Sequence, residues 1–104
     1  MDKETVTTII TFIKEELHLK GIKLFGVALF GSQLSGSSKT DSDIDLIIIS
    51  ENFKNKNIFE RSDLTMDTEI KALKKFQVPM DILKMTTEEY NNSLLNKRFY
   101  AQLI

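Results

Sequence analysis

The stretch Val27–Ser50 decides how the rest of the chain is read: Val-Ala-Leu-Phe-Gly-Ser-Gln-Leu-Ser-Gly-Ser-Ser-Lys-Thr-Asp-Ser-Asp-Ile-Asp-Leu-Ile-Ile-Ile-Ser. An apolar run stops at Gly31-Ser32. Ten residues follow, polar except for Leu34, and then Asp43 and Asp45 open a second apolar run. Two strands joined by a turn would carry the Gly-Ser pair and both carboxylates to one end of a sheet. A glycine-serine turn suits phosphate, because backbone N–H groups at the start of a following helical turn can donate to it. Residues i and i+2 of a strand share a face, so Asp43 and Asp45 lie close together. Their mutual repulsion is resolved by a divalent cation. The plain alternatives are turn formation by Asp41, Ser42 and Asp43 and an exposed strand position for Asp45. Against the second, Asp45 leads into Leu-Ile-Ile-Ile, which reads as a buried strand.

Totals narrow the chemistry. The chain has 104 residues, enough for one domain (1–104) with one core. Apolar residues make up 41% and charged residues 28%, as in an ordinary soluble globular protein. A net charge of -1 gives no general attraction to nucleic acid or anionic membrane. There is no cysteine and one histidine, so thiolate and His-rich metal sites are excluded. Any metal must sit on carboxylates, which favours magnesium or manganese over zinc. The start is charged at Asp2, Lys3 and Glu4, reads as no signal peptide, and makes the cytoplasm the expected location.

Outside the central stretch, Lys3–Leu19 reads as a helix with Val6, Ile9, Ile10, Phe12, Ile13 and Leu17 on its inner side. Lys20-Gly21 marks its stop. His18 near that stop reads as a solvated histidine rather than a ligand. Ile22–Phe30 reads as a strand, with Gly26 marking a bulge or a close helix crossing. Gly31 to Ser42 forms the turn, with Ser32–Ser35 as a short helix. Asp43–Ser50 is the second strand, Ile44, Leu46 and Ile48 facing one way and Asp43, Asp45, Ile47 and Ile49 the other. Lys54 and Lys56 lie in a polar loop and read as solvated, with triphosphate or partner contact as the alternative. Ile58–Phe76 is a helix whose inner stripe is expected to be Phe59, Met66, Ile70, Leu73 and Phe76; Ser62 and Thr65 offer caps for a shorter version.

A third strand is expected over Val78–Met85. Asp81 is its only acid and sits among Met80, Ile82 and Leu83, where a charge needs a reason. Beside the second strand it would complete a carboxylate triad able to hold two magnesium ions and to accept a proton. A strand-end or capping role is the alternative. Thr86 and Glu89 form a capping box, and Tyr90, Leu94, Leu95, Phe99 and Leu103 continue as a last amphipathic helix. That helix is expected to be core, with partner docking or a homo-oligomer left open. The order is helix, strand, turn with a short helix, strand, helix, strand, helix: an α/β domain with a small mixed sheet flanked by helices.

Gly31-Ser32, ten residues, then Asp43-Ile44-Asp45 resembles the signature of the polymerase β-type nucleotidyltransferase superfamily, in particular its minimal nucleotidyltransferase (MNT) branch. The likeness is close over Phe30–Ile49, including Ser42-Asp43-Ile44-Asp45-Leu46. It implies that fold, and transfer of a nucleoside monophosphate from an NTP, AMP from ATP, to a hydroxyl with release of pyrophosphate. By the same resemblance Asp43 and Asp45 are the metal-binding pair, Gly31 and Ser32 the phosphate contact, and Asp81 the third carboxylate. The branch often carries arginine in the Gly-Ser loop; here those positions are Gln33 and Ser35, with Lys39 as the nearby charge. Minimal members resemble the antitoxin half of toxin-antitoxin modules, which implies a helical HEPN partner whose tyrosine is adenylylated. Two other readings stay open: a non-catalytic module that neutralises a partner, and transfer to a small molecule such as an aminoglycoside.

Overall fold

The computed structural model describes residues 2–30, 44–93 and 101–104. Helix α1 (Lys3–Leu19) comes first, followed by strands β1 (Leu24–Phe30) and β2 (Ile44–Ser50). A single 3-10 turn over Glu51–Phe53 leads to helix α2 (Ile58–Phe76). Strand β3 (Met80–Met85), helix α3 (Thr87–Asn92) and strand β4 (Ala101–Leu103) complete the order. The four strands form one mixed sheet in the order β3-β2-β1-β4. Strand β1 runs antiparallel to β2 and β4, and β2 runs parallel to β3. The expected short helix at Ser32–Ser35 lies outside the described residues.

Local chemistry sets the ends of these elements. Asp2 caps α1 by accepting from the Thr5 N–H at 2.7 Å, and Gly21 ends it at φ 83°, a left-handed turn that glycine adopts freely. Asn57 and Glu60 form a capping box at the start of α2, so the helix begins at Ile58 and the cap offered by Ser62 or Thr65 is not used. Thr86 and Glu89 form the expected box on α3. At the far end of β2, the buried Ser50 hydroxyl donates to the Lys23 carbonyl at 2.7 Å. Asn52 accepts from the Lys23 N–H at 2.8 Å, so the two residues clasp the end of β2 to the start of β1.

The alternation read along β2 holds. Ile44, Leu46 and Ile48 join Val27, Leu29 and the inner side of α1 in the larger core, with Phe53 beneath them. Ile47 and Ile49 join Ala28 and Tyr90 on the other face. Each fully buried side chain of this kind contributes about 1.5–3 kcal/mol. Gly26 sits at an irregularity in the β1–β2 register. A Cβ there would lie 2.8 Å from Leu103 Cδ1, so the close neighbour is a strand side chain and not a helix.

Two sequence expectations are corrected. The stripe Phe59, Met66, Ile70 and Leu73 does not face the core: all four are exposed, and only Phe76 packs against it. The buried positions of α2 are Thr65, Thr68 and Ala72. These recur at helical spacing too, and their small side chains let the helix lie close to its neighbours. Hydropathy favours the larger residues, while packing places the smaller ones inside. The last helix does not reach the C-terminus. It ends at Asn92, where Ser93 is extended at φ -74° and ψ 150°. Ala101–Leu103 instead forms β4 along β1, and the Ile104 N–H reaches the Val27 carbonyl at 2.8 Å. Without β4 the outer edge of β1 would leave backbone groups unpaired. Leu94, Leu95 and Phe99 lie outside the described residues.

Phe53→Ala is expected to lower unfolding stability by about 3–5 kcal/mol in urea denaturation, because Phe53 is fully buried. Leu19→Ala, at a residue 78% exposed, is expected to change it by less than about 0.5 kcal/mol.

Candidate active site

The register of three strands builds the site. Phe30 pairs with Asp45 across β1–β2, and Asp45 pairs with Asp81 across β2–β3. Paired residues of neighbouring strands share a face, so these three form one row at one end of the sheet. Neighbouring strands lie about 4.8 Å apart, so Asp45 and Asp81 are direct neighbours on that face. The Ile44 N–H donates to the Pro79 carbonyl at 3.1 Å, fixing the start of β2 against the lead-in to β3. In the chain Gly31 follows Phe30 directly. Gly31, Ser32, Gln33, Ser35, Lys39 and Asp43 all lie outside the described residues.

The row occupies the sheet face opposite α1 and α2. Along β2, the side chains facing those helices are Ile44, Leu46 and Ile48. Asp45 points the other way with Ile47 and Ile49, and α3 covers the apolar part of that face through Tyr90. The same face is therefore dry toward the end of β2 and acidic at its start. Asp45 is half-buried there and has an interaction of its own, while Asp81 is exposed.

The donor set suits a hard cation. Both donors are carboxylate oxygens, with no thiol or imidazole beside them, the chemistry that magnesium and manganese prefer. Among the described residues no cluster of three or more such ligands forms. Asp45 and Asp81 are the two acids that the β2–β3 register sets side by side.

Sequence reasoning missed what holds the third strand and α3 in place. Arg61, on α2, donates from Nη1 and Nη2 to the two Glu89 oxygens at 2.7 and 3.1 Å. It also donates to the Lys84 carbonyl at 2.9 Å and, from Nε, to the Lys56 carbonyl at 2.9 Å. Its guanidinium lies 5.9 Å from the centre of the Phe53 ring. One side chain therefore ties α2, β3, α3 and the Lys56 loop together. The only sequence signal was an arginine one turn into an otherwise acidic helix start. Lys84 is a second such tie, 2.9 Å from Glu69, which also accepts from the Thr65 hydroxyl at 2.6 Å. His18 is exposed and Lys54 is solvated, as expected; Lys56 is half-buried beside Arg61.

A nucleotidyltransferase domain family model matches residues 6–101. The chain belongs to that family and is a nucleotidyltransferase. A solved structure from Sulfolobus solfataricus, described as a candidate nucleotidyltransferase, is similar over 99% of this chain and 87% of its own, at TM-score 0.62 and 21% identity. A toxin-antitoxin structure with AMP-PNP is similar over 99% of this chain and 72% of its own, at TM-score 0.57 and 15% identity. BolA1 from Arabidopsis thaliana is similar over 78% of this chain and 94% of its own, at TM-score 0.56 and 16% identity, a likeness of fold alone. Among curated proteins, none matches the chain's sequence. Among the described residues no helix is long and apolar enough to cross a membrane.

Arg61 holds the Glu89 carboxyl below its ordinary value of 4.5. The stabilisation from this pair is complete above that unfolded-state value and is lost as the pH falls through the lower folded-state one. Urea midpoints measured from neutral to acid pH are expected to fall less steeply in Glu89→Gln than in the unaltered protein.

Proposed function

We propose that the chain moves AMP from ATP to a hydroxyl of a protein partner, a tyrosine on a helical HEPN-type toxin, and so acts as its antitoxin. The observation that carries this reading is the register that sets Asp45 beside Asp81 at the end of β1 that leads into Gly31-Ser32. The toxin-antitoxin neighbour supports the direction of the proposal, since AMP-PNP is an analogue of ATP.

Asp43, Asp45 and Asp81 would hold the divalent cations, two magnesium ions, through carboxylate oxygens. When bound, the metal neutralises the triphosphate and makes the acceptor hydroxyl more acidic. The residues of the chain do the rest. Gly31 and Ser32 receive the phosphates through backbone N–H groups and the Ser32 hydroxyl. Asp81, exposed at the rim, takes the proton from the incoming hydroxyl at a carboxylate oxygen. The acceptor oxygen then bonds to the α-phosphorus as the α–β anhydride bond breaks and pyrophosphate leaves. The wall formed by Ile47, Ile49 and Tyr90 limits water on one side of the row. The described elements leave the Asp81 side open, which suits an acceptor carried by a second protein.

Labelled ATP, magnesium and a co-encoded HEPN protein are expected to give label on that protein. Asp45→Asn and Asp81→Asn are each expected to lower transfer by about 10²-fold or more. Tight binding to the partner with no label transfer would leave only the neutralising-module reading. Independently of activity, magnesium is expected to raise the melting temperature of the unaltered protein and not that of Asp45→Asn/Asp81→Asn.

A further inference from the structure

The outer face of α2 carries an apolar stripe that the single chain leaves in solvent. Phe59 is 77% exposed, Met66 50%, Ile70 44% and Leu73 49%. Phe59, Met66 and Leu73 are spaced seven residues apart with Ile70 beside them, which places all four on one side of the helix. On the side toward the sheet the stripe borders a groove of 230 Å³, completed by Met80 and Ile82 of β3. Strand β3 is the edge of the sheet. A contiguous apolar patch of this kind marks an interaction surface.

The charges along the helix identify what covers it. The first half of α2 carries Glu60, Asp63 and Asp67 beside Arg61, whose charge is taken up by Glu89, and the second half carries Lys71, Lys74 and Lys75 beside Glu69, which pairs with Lys84. Asp67 and Lys71 are tied to Lys20 and Glu16 of the α1 end, and Lys75 lies over Phe12 and Phe76. Asp63 and Lys74 flank the stripe, are exposed, and have no ion pair among the described residues. Reversed, this pattern is its own complement. A second α2 laid antiparallel sets an acidic half against a basic half at both ends. The net charge of -1 adds little repulsion between copies.

We infer that two copies of this chain associate through α2, antiparallel about a two-fold axis near the middle of the helix. The interface is isologous: Met66 of each copy seats over the Ile70–Leu73 end of the other, beside the groove, and Asp63 of each faces Lys74 of the other. The carboxylate row lies on the opposite face of the sheet and stays open in both copies. The inference does not depend on the acceptor or on nucleotidyl transfer.

Sedimentation equilibrium across the micromolar range tests it. The unaltered protein is expected to approach twice its 12.0 kDa chain mass. Met66→Glu, which puts a charge into the stripe at an exposed position, is expected to give a monomer with an unchanged circular dichroism spectrum. Asp63→Lys is expected to weaken the dimer on the order of tenfold, by setting like charges against each other at both ends. The double variant Asp63→Lys/Lys74→Asp is expected to restore it. A monomer throughout that range overturns the inference, as does a dimer indifferent to Met66→Glu and to the charge swap. A monomer whose stripe is covered by a different protein overturns it equally.

Discussion

The parallel pairing of β2 with β3 is the constraint on which the rest of this structure depends. Parallel neighbours cannot be joined by a tight turn; the chain must cross the sheet and return, and it does so through α2. That one pairing sets Asp45 beside Asp81, leaves β3 as an edge, and holds α2 on the face opposite the carboxylates. Adjacent like charges are unfavourable by themselves. They are tolerated because the Ile44, Leu46 and Ile48 side of the same strand is fully buried, which forces the odd-numbered residues to the other face.

Arg61 is the fastener of that arrangement. Its hydrogen bonds reach β3, α3 and the loop before α2, and its charge is satisfied by both oxygens of Glu89. A bidentate contact fixes direction as well as distance. It therefore positions α3, whose Tyr90 covers the apolar half of the site face. The Ser50–Asn52 clasp does the corresponding job at the junction of β1 and β2. Neither contributes an atom to the carboxylate row, yet both hold the strands whose register creates it.

The two faces of the sheet have different roles. The helix side carries most of the buried apolar surface and a solvent-facing stripe on α2. The other side is covered only in part, and its uncovered end is acidic. The carboxylate row and the exposed stripe of α2 therefore lie on different surfaces.

From its sequence alone the chain determined the helix α1 with its Lys20-Gly21 stop, the alternation along β2, the capping box of α3 and the family signature. These are local: they depend on residues within a turn or on a period of two. It also pointed to Asp81 as the partner of Asp45, because an acid in an apolar strand requires a neighbour. Only the tertiary structure decided that α2 turns Thr65, Thr68 and Ala72 inward and its larger residues outward, since both stripes have helical spacing and close packing chose between them. Only the tertiary structure decided that Ala101–Leu103 is a strand, because its partner β1 lies some seventy residues earlier and no local pattern records a ladder of that reach. The opening stretch names the acids, and the β2–β3 register turns one of them into half of a pair.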